Sequence, residues 1–470
     1  PEISDEAGAA GHDLFAPVPL GPYRLENRIV MAPLTRNRAG PGNVPQPLNT
    51  TYYVQRASAG LMISEASQIS AQGVGYPATP GIHSAAQVAG WQALNAAVHA
   101  AGGRLFLQLW HVGRISHPSL QPDNALPVAP SAIRPQGDAV TSQGPQPFQT
   151  PRALERDELG AIVGDYARAA RNARDAGFDG VEIHAANGYL LDQFLRDGTN
   201  ERGDDYGGSI DNRMRLLAEV VSAVTTVWDS TRVGVRLSPE NSFNDMRDSH
   251  PQQTFNAVAD MLRGHALGYL HVVEGDLMSG ARELDYRELK RRFGGMYMAN
   301  AGYDFARASA VLSAGAADLV AFGIQELFRQ TKPEHVHVEL GCLPDFFGID
   351  EEVIHSRGSD AFESLRLEVG IDHVQDDLEL RQAAGVARRN RSERLYGNRR
   401  GLVGRAHPGT AGQAPARSKN QHHGSNGSCT RFNPGKSHES QKKLNQSRIW
   451  YSISFWSAGH GYSRLPPAMR

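Results

Sequence analysis

Short apolar runs bounded by turn residues recur eight times along the chain: Arg28–Ala32, Leu61–Ser64, Leu105–Leu109, Val181–His184, Val233–Leu237, Tyr269–Val273, Met296–Ala299 and Leu319–Phe322. They are rich in β-formers and hardly alternate, as strands buried on both faces do. Between them lie segments with helical signals, among them Ser84–Ala101, Arg156–Ala176, Asp211–Trp228, Pro251–Gly264 and Tyr303–Ala314. Strand alternating with helix implies a parallel sheet, and eight such units predict an α/β fold of the TIM (β/α)8 barrel type. A doubly wound open sheet shares these local signals. Gly102 with Gly103, Gly177, Gly268 and Gly315 each stand shortly before a strand, where a left-handed C-cap would end the preceding helix.

Polar residues separate the two architectures. A barrel carries its active residues at the C-terminal ends of its strands, and here all eight ends carry chemistry-bearing or glycine-containing sequence. In order they are Met31-Ala32-Pro33-Leu34-Thr35-Arg36, Ser64-Glu65-Ala66, Gln108-Leu109-Trp110, His184-Ala185-Ala186-Asn187-Gly188-Tyr189, Arg236-Leu237-Ser238, Glu274, Asn300-Ala301-Gly302 and Gly323. An open sheet has no need of this at every strand, so the barrel is the reading taken forward.

After Gly323 the pattern dissolves. Residues 324–470 lack regular apolar periodicity, gather arginine in RRNRSERLYGNRR and run on through polar, His- and Ser-rich sequence. The expected organisation is therefore an N-terminal tail (1–11), a barrel (12–323) and a low-order extension (324–470). The basic run reads as a solvated tail in preference to a nucleic-acid patch. A net charge of −2 and a pI near 6.9 give no single-sign field to steer the chain to nucleic acid or an anionic membrane. No run reaches the ~18 apolar residues of a membrane span, and the start PEISDEAGAAG lacks the regions of a signal peptide. The expectation is a cytoplasmic protein, monomer or homodimer, acting on small molecules. The two cysteines, Cys342 and Cys429, are too few for a disulfide framework or a four-thiolate metal site. No metal is expected, and redox chemistry has to come from a borrowed cofactor.

Five stretches carry a resemblance: MAPLTRNRA, RLFLQLWHVGR, FDGVEIHAANGYLLDQFLRDGTNERGDDYGGSIDNRMRLL, VGVRLSPENSFNDM and ADLVAFG. Together, in this order and at these barrel positions, the chain over residues 12–323 resembles the Old Yellow Enzyme family. The resemblance implies an FMN-binding, NADPH- or NADH-dependent reductase of activated alkenes, with α,β-unsaturated carbonyls and nitro compounds as acceptors. It implies that His184 and Asn187 bind the substrate carbonyl or nitro oxygen and that Tyr189 donates the proton. It implies too that Pro33, Leu34, Thr35, Ala66, Gln108 and Arg236 line the flavin and that Trp110 lies by the substrate.

The residues support part of this on their own. His184 at a strand end and Asn187 in the following turn can aim two donors at one oxygen. A loop His and Asn satisfying backbone groups is the plainer alternative, and Tyr189 two residues on, a phenol able to protonate carbon, favours the chemical reading. A reduced flavin needs a donor near N5, a polar group on the pyrimidine edge and a positive charge near N1, which Thr35, Gln108 and Arg236 can supply. Arg236 is the hardest to explain otherwise, since an unpaired guanidinium on an apolar strand is costly. Trp110 reads equally as a substrate neighbour or as an aromatic covering the barrel mouth.

Asn300, Gly302 and Gly323 stand where barrels bind phosphate after strands seven and eight. There the sequence departs from the family. Gly323 is followed by Ile324-Gln325-Glu326-Leu327-Phe328-Arg329 in place of the arginine and Asn-Pro-Asp-Leu segment of the family, and position 301 is Ala. Such an abrupt change is what a reading-frame shift produces. It sets a second functional reading beside the first, a flavin-barrel remnant without catalysis. A larger iron–sulfur relative is excluded, because two cysteines cannot hold a cluster.

Overall fold

The computed structural model describes residues 13–323. The expected N-terminal tail and the extension 324–470 lie outside the described residues. Eight strands form the core: β1 (Ile29–Met31), β2 (Leu61–Ile63), β3 (Leu105–Trp110), β4 (Gly180–Ala185), β5 (Val233–Leu237), β6 (Tyr269–Val273), β7 (Tyr297–Asn300) and β8 (Leu319–Phe322). Each pairs in parallel with the next, and β8 returns to β1 through Phe322↔Met31, so the sheet closes. That last pairing excludes the doubly wound alternative. The architecture is a TIM barrel.

Every residue of these strands is buried, which is why the runs do not alternate in polarity. Alternation survives as a division of labour. One set, including Leu107, Ile183, Val235, Val272 and Val320, packs outward in the cluster that contains the helix residues. The other points into the barrel, and near the N-terminal ends of the strands it is apolar: Val30, Leu61, Ile63, Phe106, Tyr269, Met298 and Leu319 cluster there with Val18, Leu20 and Leu25 of an antiparallel hairpin. Two inward glycines make this layer possible. A Cβ on Gly180 would lie 2.5 Å from the Phe106 ring, and one on Gly234 2.2 Å from the Tyr269 ring. Further up the same faces stand Gln108, Glu182, His184, Arg236, His271 and Asn300, all buried.

The helices are α1 (Pro47–Val54), α2 (Ala85–Ala100), α3 (Leu159–Asp175), α4 (Leu190–Leu195), α5 (Ile210–Thr225), α6 (Pro251–Arg263), α7 (Tyr286–Phe293) and α8 (Phe305–Ser313). Caps fix where they start. The Ser84 hydroxyl accepts the Gln87 N–H at 3.3 Å while Gln87 Oε1 accepts the Ser84 N–H at 3.0 Å, a reciprocal capping box. Short helices α1, α4 and α7 escape periodicity because they have too few turns to display a face.

The C-cap expectation holds for Gly102, Gly177 and Gly315, with φ of +80°, +81° and +62°. It fails at Gly103 and Gly268. Helix α6 has ended by Arg263, and Gly268 stands where a Cβ would lie 2.3 Å from the Thr231 carbonyl. Gly103 is crowded instead by Ala57, Met62 and Val98. Both are glycine for close approach, not for handedness.

Candidate active site

The upper half of the barrel interior is a connected polar layer. Glu182 on β4 accepts from Gln108 Nε2 on β3 at 2.7 Å and from His271 Nδ1 on β6 at 2.8 Å. All three are within 1 % of full burial. Burial alone would raise the Glu182 carboxyl, but His271, then Arg236 and Gln108, bring it below the usual carboxylate range. Burial holds His271 below the usual imidazole range against the pull of Glu182. The pair is therefore a carboxylate and a neutral imidazole that donates through Nδ1.

Arg236 on β5 lies in register with both His184 and His271. One Nη donates to Asn300 Oδ1 at 2.8 Å, and Asn300 Nδ2 donates to the Ala321 carbonyl at 2.8 Å. Arg236 Nε is buried without a hydrogen-bond partner among the described residues. Burial lowers this guanidinium, with Glu182 opposing; an arginine side chain stays charged at neutral pH. A buried cation with an uncommitted donor, beside a polar layer at a barrel mouth, fits an anionic planar ligand such as a flavin pyrimidine. Gln108 and Arg236 could hold such a ring.

The Asn300 amide thus answers both the Arg236 guanidinium and a strand carbonyl. Gly302 and Gly323 follow paired strands β7 and β8 at neighbouring ends, and Gly302 adopts φ +65° with its carbonyl accepting from Arg307 at 2.7 Å. Ala301 beside it adopts φ +83°, a conformation that costs a residue with a Cβ.

His184, Asn187 and Tyr189 gather on one side of the mouth. The His184 and Tyr189 rings meet edge to face at 5.1 Å, and Tyr189 meets Trp110 likewise at 5.0 Å. Burial first, then the charge of Arg236, depress His184 far below the usual imidazole range, so it is neutral. Burial first, then the Tyr76 phenol, push the Tyr189 hydroxyl well above the usual phenol range, so it keeps its proton. Tyr189 O–H and Tyr76 O–H are 3.2 Å apart, and Tyr76 stacks on Trp110 with ring centres at 5.7 Å. Asn187 adopts φ +57°; its N–H donates to Ser238 Oγ at 2.7 Å and its carbonyl accepts from Asn244 Nδ2 at 2.8 Å.

On the first rim loop Pro33 is buried, Leu34 half-buried and Thr35 exposed, while Ala66 is buried after β2. Behind the fourth loop, Arg196 and Asp192 form a buried pair at 2.8 Å. The Asp192 carboxylate also accepts the Gly188 N–H at 2.8 Å, and Arg196 Nη1 donates to the Asn241 carbonyl at 3.0 Å.

Sequence reasoning missed Glu182, His271, Tyr76 and Asn241. Glu182 was findable by the logic applied to Arg236, since a carboxylate in the run Val-Glu-Ile-His is equally costly without a partner. Tyr76 and Asn241 sit in irregular loops, where no local period marks them.

Residues 13–332 match the family described as NADH:flavin oxidoreductase / NADH oxidase. The match runs a little past Gly323. The chain is 43% identical over 325 residues to 12-oxophytodienoate reductase 1 of Oryza sativa subsp. japonica, covering 67% of this chain and 84% of that protein. Among solved structures it is similar to morphinone reductase in complex with tetrahydroNAD, with a TM-score of 0.64 and 46% identity over 69% of this chain and 94% of that one. It is also similar to the old yellow enzyme homologue from Zymomonas mobilis, with a TM-score of 0.64 and 41% identity over 69% of this chain and 98% of that one.

Proposed function

The chain belongs to the NADH:flavin oxidoreductase / NADH oxidase family, that of Old Yellow Enzyme, and from that premise we propose that it is an FMN-dependent reductase of activated alkenes. The observation that carries the proposal is the convergence on one barrel mouth of a buried, partly uncommitted Arg236 and the cluster His184, Asn187 and Tyr189. FMN, when bound, would take hydride from NADPH or NADH and pass it to the acceptor alkene. Gln108 and Arg236 would hold its pyrimidine edge, with Pro33, Leu34, Thr35 and Ala66 along the adjoining rim and Gly302 and Gly323 toward its phosphate.

The other roles belong to side chains of this chain. His184, kept neutral by burial and by Arg236, presents an N–H donor, and the Asn187 amide presents a second. Two donors on one carbonyl or nitro oxygen stabilise the negative charge that develops there when the β-carbon is reduced. Tyr189 holds its proton at the phenol oxygen, ready for the α-carbon, because burial and Tyr76 disfavour the phenolate. Trp110 and Tyr76, stacked together, would wall the substrate side of the site, with the Tyr76 hydroxyl 3.2 Å from that of Tyr189.

The name of one relative, 12-oxophytodienoate reductase, favours an unsaturated oxo compound among possible acceptors, and the tetrahydroNAD-bound morphinone reductase favours a nicotinamide donor. The test is spectral. Purified chain supplied with FMN should show a flavin band that NADPH bleaches without oxygen and cyclohexenone restores. A chain that stays colourless with added FMN supports the remnant reading; a band that NADPH bleaches and no enone or nitroalkene restores refutes the alkene assignment.

A further inference from the structure

We propose that Asn241 is a positioning residue that fixes which end of the Asn187 amide faces the ligand; this rests on the reading that Asn187 donates to the substrate oxygen. The two ends of an amide are not equivalent. Its carbonyl only accepts and its NH2 only donates, and a substrate carbonyl, nitro group or phenolate oxygen needs the donor. The Asn187 main chain cannot adjust, since its N–H is held by Ser238 Oγ at 2.7 Å and its carbonyl by Asn244 Nδ2 at 2.8 Å. The remaining freedom is a half-turn of the side-chain amide.

Asn241 removes that freedom. It is 1 % exposed, and its Oδ1 accepts the Phe243 backbone N–H at 3.3 Å. A backbone N–H can only donate, so the other end of the Asn241 amide is its NH2, and that end lies 3.1 Å from Asn187 Oδ1. Asn187 must therefore turn its carbonyl to Asn241 and its NH2 away. The reverse orientation would set the half-buried Asn187 NH2 against the buried Asn241 NH2 and lose a hydrogen bond, which disfavours it roughly ten- to a hundredfold.

Asn241 is itself fixed. Its N–H donates to the Ser238 carbonyl at 3.2 Å and its carbonyl accepts from Arg196 at 3.0 Å. The chain of control thus runs from the buried Arg196–Asp192 pair through Asn241 to Asn187. Catalytic contact stays with Asn187, and Asn241 acts through it.

The test is a double-mutant cycle on the FMN-loaded protein, read as the dissociation constant of 4-chlorophenol from the change it causes in the flavin spectrum. In Asn241→Asp one carboxylate oxygen still accepts from Phe243 and the other draws the Asn187 NH2, turning the Asn187 carbonyl toward the ligand. Binding should weaken roughly ten- to a hundredfold. Asn241→Ala leaves the amide free and should weaken binding roughly two- to fivefold. In an Asn187→Ala background neither substitution should change binding more than about twofold. Wild-type affinity in Asn241→Asp overturns the proposal. So does an equal loss in both backgrounds, which is what direct charge repulsion or general loop damage gives. Should Asn241→Asp fail to fold, the cycle with Asn241→Ala decides by the same criterion. If Asn187→Ala alone leaves 4-chlorophenol binding unchanged, Asn187 is not a ligand donor, and both the underlying reading and this inference fall.

Discussion

Two halves of one barrel interior use the same strands for opposite ends. Toward the N-terminal ends Phe106, Tyr269 and Met298 pack together in one buried apolar cluster, and the inward glycines Gly180 and Gly234 admit the rings. Two residues further along the same strands stand Gln108, His271 and Asn300, with Glu182 and Arg236 two beyond Gly180 and Gly234. The lower half maximises contact. The upper half tolerates buried charge, with ring or guanidinium nitrogens of Arg236, His184 and His271 left without partners among the described residues. A polypeptide selected only for stability would not keep that second half, so the contrast itself marks where a ligand completes the structure.

Substitutions can break the contrast. The largest effect on stability belongs to the lower half: Phe106→Ala leaves a void beside Gly180 and should cost about 3–5 kcal/mol, seen as a fall in the urea midpoint with flavin affinity little changed. In the upper half, Tyr189→Phe should slow reoxidation by cyclohexenone about a hundredfold, leaving reduction by NADPH and the urea midpoint near wild type. Equal loss of both half-reactions would refute the proton-donor role. Because Tyr189 is pushed above, and His184 held below, their ordinary ranges, the wild-type reoxidation rate should show no inflection between about pH 6.5 and 9.

Glu182→Gln sits at the boundary of the halves. One amide oxygen cannot serve both Gln108 and His271 as a carboxylate does, so stability should fall by about 1–2 kcal/mol. Its sign with pH is fixed by the lowered carboxyl: the Glu182 contribution is complete above the ordinary carboxylate range and lost as pH falls through the folded-state value. The difference between Glu182→Gln and wild type in urea should therefore shrink in acid. The smallest effect is on the rim. Ala301→Gly removes a Cβ at φ +83° and should stabilise the chain by about 0.5–1 kcal/mol.

The eight strands were legible because burial on both faces leaves an unmistakable run of apolar residues, and strand ends were right to within a residue or two. The rim cluster His184, Asn187 and Tyr189 was legible because it falls within one strand end and its turn. What escaped was what closure creates. Glu182 finds Gln108 and His271 only when β4 is flanked by its neighbours, and Tyr76 reaches Tyr189 across 113 residues of chain. The Arg236–Asn300 hydrogen bond has the same origin, since it joins strands 64 residues apart in sequence. Gly268 misled because a glycine before a strand serves close packing as readily as a helix cap.

The central claim is that the polar half of the barrel is completed by a flavin held at Arg236. Titrating FMN into flavin-free protein, followed by quenching of flavin fluorescence, tests this directly in the wild type and in Arg236→Met. We predict one saturable site per chain in the wild type and affinity at least roughly tenfold weaker in a folded Arg236→Met. No saturable binding by the wild type, or undiminished affinity without the guanidinium, would contradict the account.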